Sequence, residues 1–149
     1  MNSCQTCVID ANVGVWSVVE GPGLSPEAVQ AWLGELDKIV VPGLWVYEVT
    51  SALYRHRLHG WPPEEIDHAL TQVLEIPDEV IYPDRLLVMS AYEWAVRLKQ
   101  GAAYDAFYLA LAERQGAEFW TGDKRLYNRA RQIGVDFVRL VSEASTGGG

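Results

Sequence analysis

Short apolar runs alternate with longer segments of helical periodicity along this chain. The runs are rich in β-branched residues or end at proline, and they predict five short strands over residues 6–9, 39–41, 80–82, 118–120 and 135–138. Strands that alternate with helices form a parallel sheet joined by helical crossovers. The sequence therefore predicts an α/β fold, and its 149 residues fit one domain.

The segments between the runs carry apolar residues at helical spacing, and many begin near proline or end at glycine. Ser25 followed by Pro26 is typical of a helix start, with serine as the cap and proline in the first helical position. The predicted helices cover residues 12–19, 26–37, 44–59, 62–74, 85–98, 103–115 and 124–133. Residues 142–149 follow the last predicted strand and are expected to form a disordered C-terminal tail.

Four acidic residues occupy positions that an α/β fold brings to one edge of its sheet. Asp10 and Asp123 follow predicted strands, and Glu48 and Asp105 lie near the starts of predicted helices. In open parallel sheets the ligand site lies beyond the carboxyl ends of the strands. Carboxylates that cluster without a cation are costly, because their charges repel and they lose solvation. The pattern therefore predicts a hard divalent metal, held by oxygen ligands and suited to phosphate chemistry.

Each of these four acids also has a structural explanation. Asp10 could cap the helix that follows it, Glu48 could pair with Arg55 seven residues on, and Asp105 could gain from the helix dipole. For Asp10, Glu48 and Asp105 the metal site is the favoured interpretation. For Asp123 a helix cap and a metal ligand are equally open, and one residue can do both.

The net charge of −8 argues against broad, non-specific binding of nucleic acid. Bound cations at an acidic site would offset part of it. The basic residues nevertheless form two groups, one of Arg55, His56, Arg57 and His59 and another of Lys124, Arg125, Arg129 and Arg131. A solvated helix surface and a contact with a phosphate backbone are both open explanations of these groups.

Four segments together resemble the motifs of the PIN-domain family, and in particular the VapC-type ribonuclease toxins of prokaryotic toxin–antitoxin pairs. They are Val8-Ile9-Asp10-Ala11-Asn12-Val13, Tyr47-Glu48-Val49, Tyr104-Asp105-Ala106-Phe107-Tyr108-Leu109-Ala110 and Thr121-Gly122-Asp123-Lys124-Arg125-Leu126. Each motif alone is weak, but four in this order and spacing are fairly specific. The resemblance implies one three-layer α/β/α domain over residues 1–141, with a parallel sheet of about five short strands.

The resemblance also implies a function. It makes Asp10, Glu48, Asp105 and Asp123 the acidic site that holds Mg²⁺ or Mn²⁺, and it gives Asn12 and Thr121 supporting positions beside them. The implied activity is hydrolysis of RNA phosphodiester bonds. The implied partners are an RNA substrate and a small antitoxin protein that inhibits the enzyme. Whether two copies of the chain form a homodimer stays open.

Two other interpretations compete with the nuclease. A haloacid-dehalogenase-like phosphatase also uses an aspartate at a strand end, but it needs a second aspartate where this chain has Asn12. A catalytically inactive PIN-like binding module is the other alternative, although such a module has no reason to keep buried like charges. The sequence opens with no signal-peptide pattern and has no apolar run long enough to cross a membrane, so we expect a cytoplasmic protein without membrane contact.

Overall fold

Strands and helices alternate along residues 5–99 and 103–142, which are the residues that this computed structural model describes. The strands are β1 (Thr6–Ile9), β2 (Lys38–Pro42), β3 (Glu79–Ile81), β4 (Glu118–Thr121) and β5 (Val138–Leu140). The helices are α1 (Ala11–Val15), α2 (Pro26–Leu33), α3 (Gly43–Leu58), α4 (Pro63–Leu74), α5 (Arg85–Leu98), α6 (Tyr104–Gln115) and α7 (Lys124–Gln132). The predicted order of elements is confirmed.

All five strands form one parallel sheet in the order β3-β2-β1-β4-β5. Val8 in the central strand pairs with Val40 of β2 on one side and with Phe119 of β4 on the other. Consecutive β1 residues point to opposite faces of the sheet, and Cys7, Val8 and Ile9 are all fully buried. Both faces of the sheet are therefore covered by helices, which confirms the three-layer α/β/α fold.

The strand order reverses direction at β1, and this reversal locates the natural site of a parallel sheet. The chain proceeds from β1 outward to β2 and β3, and then returns to place β4 on the other side of β1. A crevice opens beyond the carboxyl ends of two strands where the order reverses in this way. Asp10 follows β1 and Asp123 lies just after β4, so both lie at that crevice.

Three of the predicted element boundaries were wrong. Helix α2 ends at Leu33 rather than near Asp37, because Gly34 caps it and the amides of Glu35 and Leu36 then bond in tight turns to the carbonyls of Trp32 and Leu33. Helix α1 ends at Val15 rather than Val19, since the chain turns at Ser17, whose hydroxyl donates to the Gly14 carbonyl.

The fifth strand is also displaced from its predicted position. Residues 135–138 were expected to form it, but β5 begins only at Val138. The Val135 amide instead donates to the Ala130 carbonyl and closes α7, while the Phe119 amide donates to the Phe137 carbonyl. The apolar character of this segment therefore serves both the end of a helix and the start of a strand.

Helix α6 packs across the middle of the sheet and carries much of the core. Tyr108 stacks on Phe119 of β4 with ring centroids 5.2 Å apart, and Leu109 and Leu111 are fully buried. This packing fixes the first turn of α6, and with it Asp105, above the strand ends. The tail predicted over residues 142–149 lies, apart from Ser142, outside the described residues. Within the described part of the chain, no helix is both long enough and apolar enough to cross a membrane.

Candidate active site

All four acids singled out in the sequence line one cavity of about 290 Å³ beyond the strand ends. The chain brings them there from four separate places, since Asp10 and Asp123 follow strands, while Asp105 lies in the first turn of α6 and Glu48 in the second turn of α3. Asn12, also singled out, lines the same cavity. The remaining lining residues are Ala11, Ser51, Ala52, Arg55 and Tyr108.

Asp10 is the most buried of the four acids, with 9% of its surface exposed. Its Oδ1 atom accepts a hydrogen bond of 3.0 Å from the Val13 amide. Asp10 therefore caps α1, which is the structural role that the sequence allowed for it. Its Oδ2 atom accepts from the Thr121 hydroxyl at 2.6 Å and from the Gly122 amide at 3.1 Å. Burial, with a smaller contribution from the charge of Asp105, raises the pKa of Asp10 to about 6 against the opposing effect of these three hydrogen bonds.

Thr121 connects the two strand ends that carry acids. Its side chain is fully buried, and its hydroxyl both donates to Asp10 and accepts from the Asp123 amide at 3.0 Å. The supporting position predicted for Thr121 therefore corresponds to a direct contact with Asp10. Asn12, in contrast, is an exposed residue at the cavity wall.

Glu48 is held from across the cavity by a tyrosine. The Tyr108 hydroxyl donates to Glu48 Oε1 at 2.5 Å, and Tyr108 itself is almost completely buried. Burial, followed by the Glu48 charge and this hydrogen bond, raises the pKa of Tyr108 far above its ordinary value, so the hydroxyl keeps its proton and donates. The alternative ion pair between Glu48 and Arg55 is not among the ion pairs of the described residues, and Arg55 Nη1 donates to the Ser51 hydroxyl.

Asp105 is electrostatically linked to the other three acids. It is half-buried in the first turn of α6, where the helix dipole favours a negative charge. Burial raises its pKa, and the charges of Asp123 and Glu48 raise it further. Its own charge in turn raises the pKa of Asp10. Because these negative charges repel one another, the site favours the binding of a cation.

Asp123 caps α7, which confirms one of its two interpretations. Its Oδ1 atom accepts from the amides of Arg125 at 2.9 Å and Leu126 at 3.1 Å. Both capping bonds end at the same oxygen, so Oδ2 is not used by them. The cap therefore leaves an oxygen for a cation, and the role of Asp123 as a ligand stays a prediction.

The donor set of this cavity suits a hard divalent cation. Carboxylate oxygens are the ligands that Mg²⁺ and Mn²⁺ prefer. In the described part of the chain, no three Asp, Glu, His or Cys side chains are placed closely enough to surround one ion directly. Mg²⁺ usually keeps several waters and binds through only one or two carboxylates, and the cavity has room for a hydrated ion. The residues thus fit a partly hydrated cation better than a closed protein cage.

Three polar side chains of the cavity were not identified in the sequence as parts of the site. Tyr108 lies three residues after Asp105, and Ser51 lies three residues after Glu48, with Arg55 four residues further on. Residues three and four apart lie on the same side of a helix. The helical spacing from each acid was therefore a signal that could have found them.

The chain belongs to the PIN-domain family, whose family model matches residues 7–132. Solved structures with the same fold include PAE2754 from Pyrobaculum aerophilum, which is 19% identical with a TM-score of 0.71, the match covering 96% of each chain. VapBC2 from Rickettsia felis, solved with a DNA fragment from its promoter, is 12% identical with a TM-score of 0.65 and covers 91% of this chain and 98% of its own. VapC20 from Mycobacterium tuberculosis, described as a sarcin-ricin loop cleaving toxin, is 16% identical with a TM-score of 0.61 and covers 82% of this chain and 93% of its own. A comparison with curated proteins found no match. At these identities the solved structures establish the shared fold.

Proposed function

We propose that this protein is a metal-dependent endoribonuclease and the toxin of a toxin–antitoxin pair. The observation that carries the proposal is the convergence of Asp10, Glu48, Asp105 and Asp123 on one cavity of a PIN domain. The reaction is hydrolysis of an RNA phosphodiester bond. Water attacks the phosphorus in line and the 3′-oxygen leaves, so the product carries a 5′-phosphate.

The four carboxylates would hold one or two Mg²⁺ or Mn²⁺ ions. When bound, such an ion polarises the phosphoryl oxygens and lowers the pKa of a coordinated water. Asp10 needs a cation most, because burial already makes its ionised form costly. Asp105 is charge-coupled to all the others and is expected to share whatever positive charge enters the cavity.

The other side chains of the site keep the carboxylates in place. Thr121 donates to Asp10 and fixes the distance between the ends of β1 and β4. Tyr108 donates to Glu48 and leaves its second oxygen to bind a cation or to orient the attacking water. Partners of this kind set the direction of a ligand and strengthen metal binding. No side-chain nucleophile is required in this scheme.

The biological partners follow from the relatives that share the fold. VapBC2 was solved bound to a DNA fragment from its promoter, and VapC20 is described as a sarcin-ricin loop cleaving toxin. We propose a small antitoxin protein as the inhibitor of this chain and RNA as its substrate.

Cleavage of an RNA panel tests the enzymatic proposal. We expect cleavage in Mg²⁺ or Mn²⁺ that EDTA abolishes and that Asp105→Asn strongly reduces. Cleavage that proceeds equally well in EDTA would refute the metal mechanism.

Growth of a bacterial host tests the toxin proposal separately. Expression of the wild type should slow growth, and Asp10→Asn should relieve the effect. Normal growth at confirmed expression would contradict the toxin role while leaving the nuclease proposal to the RNA panel.

A metal titration distinguishes the enzyme from an inactive binding module. Ligands that bind only the folded state raise its stability. We expect Mg²⁺ to raise the melting temperature of the wild type, and an inactive module should show no such increase. The phosphatase alternative has no support, because the matched family is PIN and Asn12 stands where that chemistry needs an aspartate.

A further inference from the structure

Helix α3 presents a single stripe of side chains to the acidic cavity. Glu48, Ser51, Ala52 and Arg55 all line it, at the spacing of one face of a helix. Ser51 and Ala52 are small and leave space above the helix between the two charged residues. Among the described residues that line the cavity, Arg55 is the only cation.

Arg55 is directed back along α3 toward the acids without pairing with any of them. Its Nη1 atom donates to the Ser51 hydroxyl at 3.1 Å, one helical turn closer to Glu48. Within the part of the chain that the structure describes, the ion pairs formed are Lys38–Glu79, Arg114–Asp84 and Arg139–Glu118. A guanidinium has five N–H donors, and the bond to Ser51 uses one of them.

Arg55 does little to stabilise the carboxylates, because it pairs with none of them, but its remaining donors can bind an anion. Four carboxylates and one guanidinium give the cavity a strongly negative charge, and the chain as a whole carries −8. An RNA strand entering there needs positive charge beyond the bound metal. A guanidinium is planar and can bind two phosphate oxygens at once.

We propose that Arg55 binds a phosphate group of the RNA strand next to the bond that is cleaved. The inference rests on the proposed function, because it assigns the anion to the substrate of the same site. Arg55 is then a substrate-binding residue that offsets the acidity of the cavity where the strand enters.

Binding of a labelled single-stranded RNA of mixed sequence tests the proposal. Fluorescence anisotropy in Ca²⁺, a hard cation that oxygen ligands also bind, compares the wild type with Arg55→Gln across a range of salt concentrations. We expect Arg55→Gln to weaken binding roughly 10-fold, the size of one charge-assisted hydrogen bond. The slope of log affinity against log salt should fall by about 0.7, the value for one phosphate contact with a single strand.

Arg57→Gln is the matched control. Arg57 is exposed on the same helix and carries the same charge, but it lies about 200° around the helix axis from Arg55 and does not line the cavity. Its loss should leave both the affinity and the salt slope near the wild-type values. Arg55→Lys should keep the salt slope while losing part of the affinity, because lysine keeps the charge but not the planar fork.

Kinetics and melting separate this inference from the proposed function. With cleavable RNA in Mg²⁺, Arg55→Gln should raise KM more than it lowers kcat, and Mg²⁺ should raise its melting temperature as much as that of the wild type. Loss of that Mg²⁺ effect would instead show that Arg55 supports metal binding indirectly, and it would overturn the inference. The inference would also be overturned if Arg55→Gln and Arg57→Gln showed the same RNA affinity and salt slope. It would be overturned as well if the wild type bound RNA no better than Arg55→Gln. A wild type that binds RNA through Arg55 but never cleaves it would refute the proposed function alone.

Discussion

The pH dependence of folding should change when Asp10 is replaced by asparagine. Burial raises the pKa of Asp10 from an ordinary value of 3.8 to about 6. A carboxyl group with a raised pKa in the folded protein stabilises that state while protonated, and this contribution is lost as the pH rises through the folded-state pKa. The difference corresponds to about 3 kcal/mol against folding once Asp10 is fully ionised.

Asparagine removes this penalty but also loses part of the hydrogen bonding. Its Oδ1 atom can keep the bond from the Val13 amide, and the Thr121 hydroxyl can turn to accept, but the Gly122 amide loses its acceptor. A lost hydrogen bond of this kind costs about 1–3 kcal/mol at any pH. The pH-dependent part should therefore separate cleanly, and the stability of Asp10→Asn relative to the wild type should rise by about 1.4 kcal/mol between pH 5 and pH 7.5.

Urea unfolding in EDTA at these two pH values measures the effect. Asp67→Asn, on the exposed surface of α4, controls for the loss of one negative charge. Added Mg²⁺ should then favour the wild type at pH 7.5, because only its complete acidic site gains the free energy of binding. A difference between Asp10→Asn and wild type that stays constant or shrinks as the pH rises would refute the reasoning, since Asp10 would then be ionised without cost.

Three further substitutions test single contacts of the site. Asp123→Asn should change the free energy of unfolding by less than about 1 kcal/mol, because asparagine caps a helix equally well. Its cleavage rate at limiting Mg²⁺ should nevertheless fall by orders of magnitude. Near wild-type cleavage would mean that Asp123 only caps the helix. Tyr108→Phe should lower the free energy of unfolding in urea by about 1.5 kcal/mol, because it removes the hydrogen bond to Glu48 and a bond to a half-exposed charge lies at the lower end of the usual range. An unchanged free energy of unfolding would mean that water replaces the hydroxyl. Gly122→Ala should cost about 1–3 kcal/mol, because a Cβ atom there would overlap the Trp16 ring; unchanged near-ultraviolet circular dichroism would argue against that contact.

The sequence predicted the fold well because the residues that start and end its helices and strands act locally. Ser25 and Pro26 start α2, and the cap by Ser25 is present as expected. Asp10 and Asp123 could be placed at one edge of the sheet because parallel strands share the direction of their carboxyl ends. The convergence of these two acids therefore followed from topology alone.

Other features depend on contacts that no local pattern contains. The Tyr108–Glu48 hydrogen bond joins residues 60 apart, on two different helices, and only their packing brings them together. The start of β5 depends on where α7 stops, and the Val135 amide is used to close that helix. Arg55 could be placed near Glu48 from helical spacing, but its choice of Ser51 over a carboxylate is a matter of three-dimensional geometry.

The bond between Thr121 and Asp10 also sets when the acidic cavity of a newly made chain can be completed. It joins residues 111 apart, because one of the two strands beside β1 is β4. At about 5–20 residues per second, synthesis of the stretch between them takes on the order of 6–22 s. Throughout that interval the emerging chain contains Asp10 but neither the hydroxyl that holds it nor Asp123. A ribosome making this protein therefore carries a PIN domain with an unfinished acidic site until residues 121–123 have been added.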